Sequence, residues 1–350
     1  MEKSTKKVLV ICHITKSLCN GQVAKTKDVI DFLILQGFDV SILNYGQMNK
    51  IRALLHSKSI ISKFDKVVLM PGGSKALFFY SKLISKLRIK NSHYVAIGGW
   101  VQNLLKEKKA FQKLLPLKSF KGIYLQNKDT QKLFKEKGFE NSFCISSFSS
   151  KKPISTDELT ERVSFLDESN NFKFCFFARI IREKGIYLAI ESILRGNKQT
   201  KSENISLDIY GEFSDKKTKD NILSLCEKAQ SINYKGVLSG PNTTKTLSKY
   251  YCMLFPTFYR GEGVPHTIIE SFASGLPVIA SKWAYNEEII ENHKTGLLFE
   301  LKTDELTQQI LYATQNKQLI KTMSVNCLEE FKKYNIEVLL KPLINNLSKD

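Results

Sequence analysis

Seven cysteines (Cys12, Cys19, Cys144, Cys175, Cys226, Cys252, Cys327) include no C-x-x-C pair. The sequence therefore offers neither a zinc spacing nor a disulfide framework, and it points to a reducing compartment. The five histidines are dispersed and form no Cys/His cluster. No apolar run approaches the roughly 18 residues of a membrane span. The opening MEKSTKKVLVICHIT lacks a small-residue cleavage site and returns at once to polar residues, so it reads as a first strand and not a signal peptide. Acidic residues are scarce in one half only: positions 1–150 hold 26 Lys and Arg against 9 Asp and Glu, whereas positions 151–350 hold 27 against 25. So uneven a balance suits an anionic partner, nucleic acid or a membrane face. No helix-turn-helix, zinc-finger or RRM-like signature accompanies it, which argues against nucleic acid. The expectation is a cytoplasmic protein, peripheral at the anionic inner face of the cell membrane through its basic N-terminal half.

What is present is a regular alternation. KVLVICHI, FDVSILNY, KVVLM, HYVAI, GIYLQ and SFCISSF read as strands separated by helical stretches, which implies parallel βαβ units. Residues 149–171 turn polar, contain a proline and end in Ser-Asn-Asn, as a linker would. A second βα series follows with KFCFFA, SLDIYG, NYKGVL, CMLFP and PVIAS. The expected architecture is α/β: two Rossmann-like, doubly wound domains, 1–150 and 172–330, with a linker at 151–171. A C-terminal helix within 331–350 is expected to cross back to the first domain.

The stretch Leu254–Phe299 organises the second half. Arg260-Gly261-Glu262-Gly263 reads as a loop bent by its glycines after a short buried strand, and a helix begins at Pro265 and stops at Gly275. A helix that starts where a parallel strand ends points its free N–H groups out of the sheet's carboxyl edge, a ready site for phosphate. Gly263, His266, Thr267 and Ile268 stand at that turn, with Glu262 before it and Glu270 eight positions on. At about 1.5 Å of rise per residue the two carboxylates stand roughly 10 Å apart, room for a diphosphate with a sugar on either side. The plainer alternative is a solvated loop glutamate and a helix glutamate paired with lysine.

The pattern E-G-x-P, then E, then A-S-G-x-P-V-I-A-S resembles the donor half-site of family 4 retaining glycosyltransferases, of the two-domain GT-B fold with its domains facing across a cleft. The resemblance is specific over about residues 173–300 and general over the first 150. It implies a hexosyl transfer from a nucleotide sugar, with a UDP- or GDP-sugar as substrate and no cofactor, to a lipid-linked or saccharide acceptor in surface polysaccharide synthesis. Arg179 and Lys184 of FFARIIREKG resemble the family's diphosphate-gripping cations, with Ala178 where a glycine is usual. Glu262 is then expected to orient the donor hexose and Glu270 to bind ribose, while Gly211 and Val237 lie by the diphosphate and the base. Gly21, in the loop Ser17–Gln22, resembles the family's first-domain loop that meets donor and acceptor. Ile97-Gly98-Gly99-Trp100 resembles a segment of capsule and exopolysaccharide members, and Trp100 either stacks on an acceptor sugar or belongs to the core. Glu288 aligns with the glutamate of the family's G-G-x-x-E segment, but Ala284 and Tyr285 stand at its glycines.

No Asp-x-Asp motif of the metal-dependent GT-A kind occurs, so a metal-free reaction is expected. The alternatives are a soluble GT-B transferase acting on a protein or small molecule, and a non-catalytic GT-B partner subunit.

Overall fold

The structure is a computed structural model and describes residues 6–14, 21–47, 50–98, 100–168 and 170–349. The chain divides into two compact units. Strands β1 (Lys6–Cys12), β2 (Phe38–Asn44), β3 (Lys66–Met70), β4 (Asn91–Val95), β5 (Gly122–Leu125) and β6 (Ser142–Cys144) form the sheet of unit 1 in the order β2-β1-β3-β4-β5-β6. All its pairings are parallel. Alternation along β1 sends Leu9 and Ile11 into one core and Val8 and Val10 into another, on opposite faces of the sheet. Burial on both faces explains why the central strands read as continuous apolar runs.

Unit 1 is completed by residues 335–349. Two short helices, Ile336–Leu339 and Lys341–Ser348, stand where the sequence suggests one, and Ile336, Leu340, Leu343 and Leu347 close the Val8/Val10 core. Helix-end carbonyls need donors. Lys6 Nζ donates to Ser348 O (2.7 Å), Lys66 Nζ to Leu347 O (2.8 Å), and Asn91 Nδ2 to Lys349 O (2.9 Å). Buried His93 donates through Nε2 to Asn91 Oδ1 at 2.6 Å.

Unit 2 runs from Lys151 to Tyr334. Strands β7 (Phe172–Phe177), β8 (Ile205–Tyr210), β9 (Ile232–Tyr234), β10 (Met253–Phe255), β11 (Val278–Ser281) and β12 (Gly296–Phe299) lie in the order β12-β11-β10-β7-β8-β9, again all parallel. The α/β class with two parallel sheets is thus as expected. The polar stretch 151–171 is more than a linker, because it carries a helix, Thr156–Glu168. From that helix Arg162, 3% exposed, donates to the carbonyls of Ser248 and Tyr250 (2.5 Å each), Gly275 (2.8 Å) and Tyr251 (3.2 Å), and to Ser324 Oγ. A guanidinium alone supplies donors in enough directions to knit those segments together.

Candidate functional site

Of the expected site residues of the second half, Arg179 and Lys184 follow β7 and Glu262 to Glu270 follow β10, while Gly211 and Val237 follow β8 and β9. After β7 the chain passes Ala178 and Arg179, makes a 3-10 turn Arg182–Lys184, and enters the helix Ile186–Thr200 through Gly185 at φ +80°. A Cβ on Gly185 would land on the Pro256 carbonyl oxygen, so glycine lets this turn press against the strand β10 exit. Phe258 N–H donates to Glu183 O at 2.8 Å, joining the two loops.

That junction brings Lys184 to Glu262. Lys184 Nζ donates to Glu262 Oε2 at 2.5 Å, and Thr257 Oγ1 donates to the same oxygen at 2.9 Å. The side chains are 13% and 8% exposed, so this is a largely desolvated ion pair. Lys184 Nζ also lies 5.3 Å from the Phe255 ring centre and 5.5 Å from that of Tyr259, whose ring the Arg179 guanidinium approaches at 5.7 Å. Two cations on one aromatic ring, only one of them paired with a carboxylate among the described residues, leave net positive charge for an anion. Tyr259 is fixed from behind by Trp283, whose Nε1 donates to its carbonyl at 2.9 Å.

The helix beyond this loop spans His266–Ala273, with Pro265 as its extended N-cap residue, one position earlier than its expected role as first helical residue. Neither Gly261 nor Gly263 adopts a left-handed backbone; the constraint at Gly261 is steric, because a Cβ there would press on the Tyr259 ring. His266, in the first turn, is buried: it is 7% exposed, with Nε2 3.5 Å from Oε1 of Glu270, itself 6% exposed. Thr267 is half-buried and Ile268 fully buried in the core, so Ile268 can meet a ligand only through its main chain.

Gly211, at φ +154°, holds its place because a Cβ would strike the Ala178 carbonyl oxygen, and its N–H donates to Gly236 O at 2.9 Å. Val237, expected beside the base, is 38% exposed. Ala284 takes φ +49°, the left-handed backbone for which a glycine would be the natural choice. In unit 1, Gly21 opens the helix Gly21–Leu35, and Ser17 to Asn20 of its loop lie outside the described residues, as does Gly99. Trp100 packs, partly buried, against the unit 1 core. Sequence reasoning missed Thr257, Tyr259 and Trp283; closeness to Glu262 in the chain and the aromatic run FYR could have signalled the first two, and nothing local signals Trp283. Among the described residues no group of three or more His, Cys, Asp or Glu could hold a metal ion.

Residues 157–330 match the family described as glycosyl transferases group 1. The GtfA subunit of the UDP-N-acetylglucosamine–peptide N-acetylglucosaminyltransferase of Streptococcus agalactiae is 28% identical over 144 residues, 41% of this chain and 27% of that protein. The alpha-monoglucosyldiacylglycerol synthase of Acholeplasma laidlawii is 26% identical over 173 residues, 49% of this chain and 42% of that one. The chain thus spans less than half the length of either relative. HepE of Anabaena, crystallised with UDP, shares the fold at a TM-score of 0.70 and 15% identity, over 98% of this chain and 99% of its own. With the matched family lying across the β7 and β10 loops just described, residues 157–330 carry a glycosyl transferases group 1 domain, and the chain as a whole has the two-sheet α/β fold of HepE.

Proposed function

We propose that this protein is a retaining, metal-independent transferase of the family 4 kind. It moves a hexosyl unit from a nucleotide sugar to a lipid-linked or saccharide acceptor in surface polysaccharide or glycolipid synthesis. The contact between Lys184 and Glu262 carries the reading. An ammonium has three N–H donors, and Glu262 takes one; the others, with the Arg179 guanidinium, suit the two phosphates. Glu262 keeps its second oxygen for hexose hydroxyls, and Glu270 serves the ribose. The bond from the anomeric carbon to the β-phosphate oxygen breaks with its electron pair going to phosphate, where fixed cations stabilise the growing charge. The acceptor hydroxyl attacks from the same face and passes its proton to that phosphate oxygen, which retains the anomeric configuration. The UDP bound by HepE and the UDP-sugar named for the streptococcal relative support a UDP-sugar as first choice of donor.

Two features support a membrane acceptor: the charge of the first 150 residues and the glycolipid product named for the Acholeplasma relative. No described helix is long and apolar enough to cross a membrane, and the proposed association is peripheral, at the cytoplasmic face. The peptide acceptor named for the streptococcal relative favours a second reading, a protein-glycosylating enzyme. Incubation with UDP-, GDP-, ADP- and dTDP-sugars in EDTA, with lipid extract or with peptide, decides between them. Extract-dependent release of one nucleoside diphosphate supports the first reading, and peptide-dependent release replaces it with the second. Nucleotide binding without any release would favour a non-catalytic partner subunit.

A further inference from the structure

Beside the Lys184–Glu262 pair, and sharing none of its side chains, unit 2 has an open cavity of about 520 Å³. That volume lies within the roughly 300–1,000 Å³ of small-molecule sites. Its walls include Phe258 and Trp283, two arginines, Arg182 and Arg260, and one carboxylate, Glu191. Both arginines are exposed and neither makes an ion pair among the described residues. Glu191 is already neutralised by Arg195 at 2.6 Å, and Arg195 in turn reaches Asp304 at 2.6 Å, so the cavity is left positive. The aromatic wall is built into the site: Trp283 is anchored through Nε1 to Tyr259 O, and Phe258 through its N–H to Glu183 O.

We infer that this cavity binds an acidic sugar residue, one carrying a carboxylate or phosphate, of the saccharide acceptor. The C–H face of a pyranose packs on the Trp283 and Phe258 rings, the arginines take its acid group in charge-assisted hydrogen bonds, and the second Glu191 oxygen accepts from sugar hydroxyls. The carboxylate in the wall disfavours a ligand that is all phosphate and favours one that is mostly hydroxyl. The choice of a saccharide rests on the transferase reading above. Because Tyr259 links the cavity wall to Arg179 and Lys184, occupancy would also steady the loop that carries Glu262.

The chain has two tryptophans, Trp100 and Trp283, so Trp100→Phe leaves Trp283 as a reporter. This protein is titrated with a glucuronate-containing tetrasaccharide, its carboxyl-reduced neutral counterpart, glucose 1-phosphate and inorganic phosphate, with and without UDP; UDP affinity is measured separately by calorimetry. The expected result is saturable quenching by the glucuronate saccharide or the sugar phosphate, whichever acid the natural acceptor carries. Binding is expected to be about tenfold weaker without the acid group, and about tenfold weaker in Arg182→Gln and in Arg260→Gln, with UDP affinity held within twofold. Equal binding of the neutral sugar, indifference to both arginine changes, inorganic phosphate binding as well as the sugar acids, or displacement by UDP would each overturn the inference. A protein that binds UDP but no saccharide loses this inference and keeps the transferase reading; one that binds no nucleotide loses the transferase reading itself.

Discussion

Replacing Glu262 by glutamine keeps the shape of the side chain and removes its charge. In the native protein one oxygen, Oε2, accepts from both Lys184 and Thr257 in a setting where the two charged side chains are 13% and 8% exposed. The amide oxygen of glutamine can still accept, so the loss is the difference between a charged and a neutral hydrogen bond, about 1–2 kcal/mol. Complete rupture of a buried pair, about 3–5 kcal/mol, is the upper bound. At about 2–4 °C per kcal/mol for a domain of this size, the melting temperature should fall by roughly 2–8 °C. Turnover should fall more, by about 10²-fold or about 2.7 kcal/mol, if the hexose contact tightens in the transition state. UDP should bind as well or better, because the Lys184 ammonium no longer shares its charge with a carboxylate. Thermal melting, calorimetry with UDP and nucleoside diphosphate release read these three quantities from one preparation. Turnover within about threefold of native would refute the role given to Glu262, and a fall in UDP affinity matching the fall in turnover would show that the change acts through the fold of the loop. Adding Lys184→Met to Glu262→Gln should restore part of the lost melting temperature, since the uncompensated ammonium goes with it.

Arg162→Leu strands four main-chain carbonyls of unit 2 at once and should cost at least about 4 kcal/mol; Arg162→Lys should not rescue it, and insoluble Leu and Lys variants would fit, whereas native-like urea midpoints would not. Burial, aided by the Lys121 ammonium, holds the His93 imidazole down at about 3 against its ordinary 6.5. Below about pH 6.5 the unfolded chain takes up a proton that the folded chain refuses, so stability present above that pH is lost as the pH falls toward 3. Between pH 7 and pH 5 the loss should be about 2 kcal/mol, seen in urea unfolding and flattened in His93→Gln. Ala284→Gly relieves a left-handed alanine and should raise stability by about 0.5–1 kcal/mol, against the usual direction for glycine; a lower melting temperature would contradict that account. Binding to vesicles with anionic lipid should be lost between low and high salt and absent on neutral vesicles.

Both parallel sheets were legible because burial on two faces writes strands as unbroken apolar runs, and the turn from Arg179 to Gly185 and the loop at Glu262 could be placed from residue types alone. Why Lys184 and Glu262 should touch was not legible, since the contact depends on Gly185 fitting against Pro256, a meeting of residues 71 positions apart. The expected separation of Glu262 from Glu270 assumed helical rise throughout, but the helix starts only at His266. The burial of His266 was not legible either, because burial of a first-turn residue is set by what packs over it from elsewhere. Arg162 looked like one charge in a polar linker, because nothing local marks a guanidinium that will be surrounded by carbonyls. By contrast the departure at Ala284 was visible, and its left-handed backbone shows what the substituted glycine would have supplied.

Unit 1 is discontinuous in the chain, its Val8/Val10 face being covered partly by the helix Gly21–Leu35 and partly by residues 335–349. On the ribosome residues 335–349 emerge only after the whole of unit 2 has been made, which at about 5–20 residues per second leaves their share of that apolar face open for roughly 10–40 s. Unit 2, being contiguous, can close without waiting. The half of the protein that is synthesised first is therefore the last to finish, and in that interval its exposed sheet face is the part of the nascent chain a chaperone would hold.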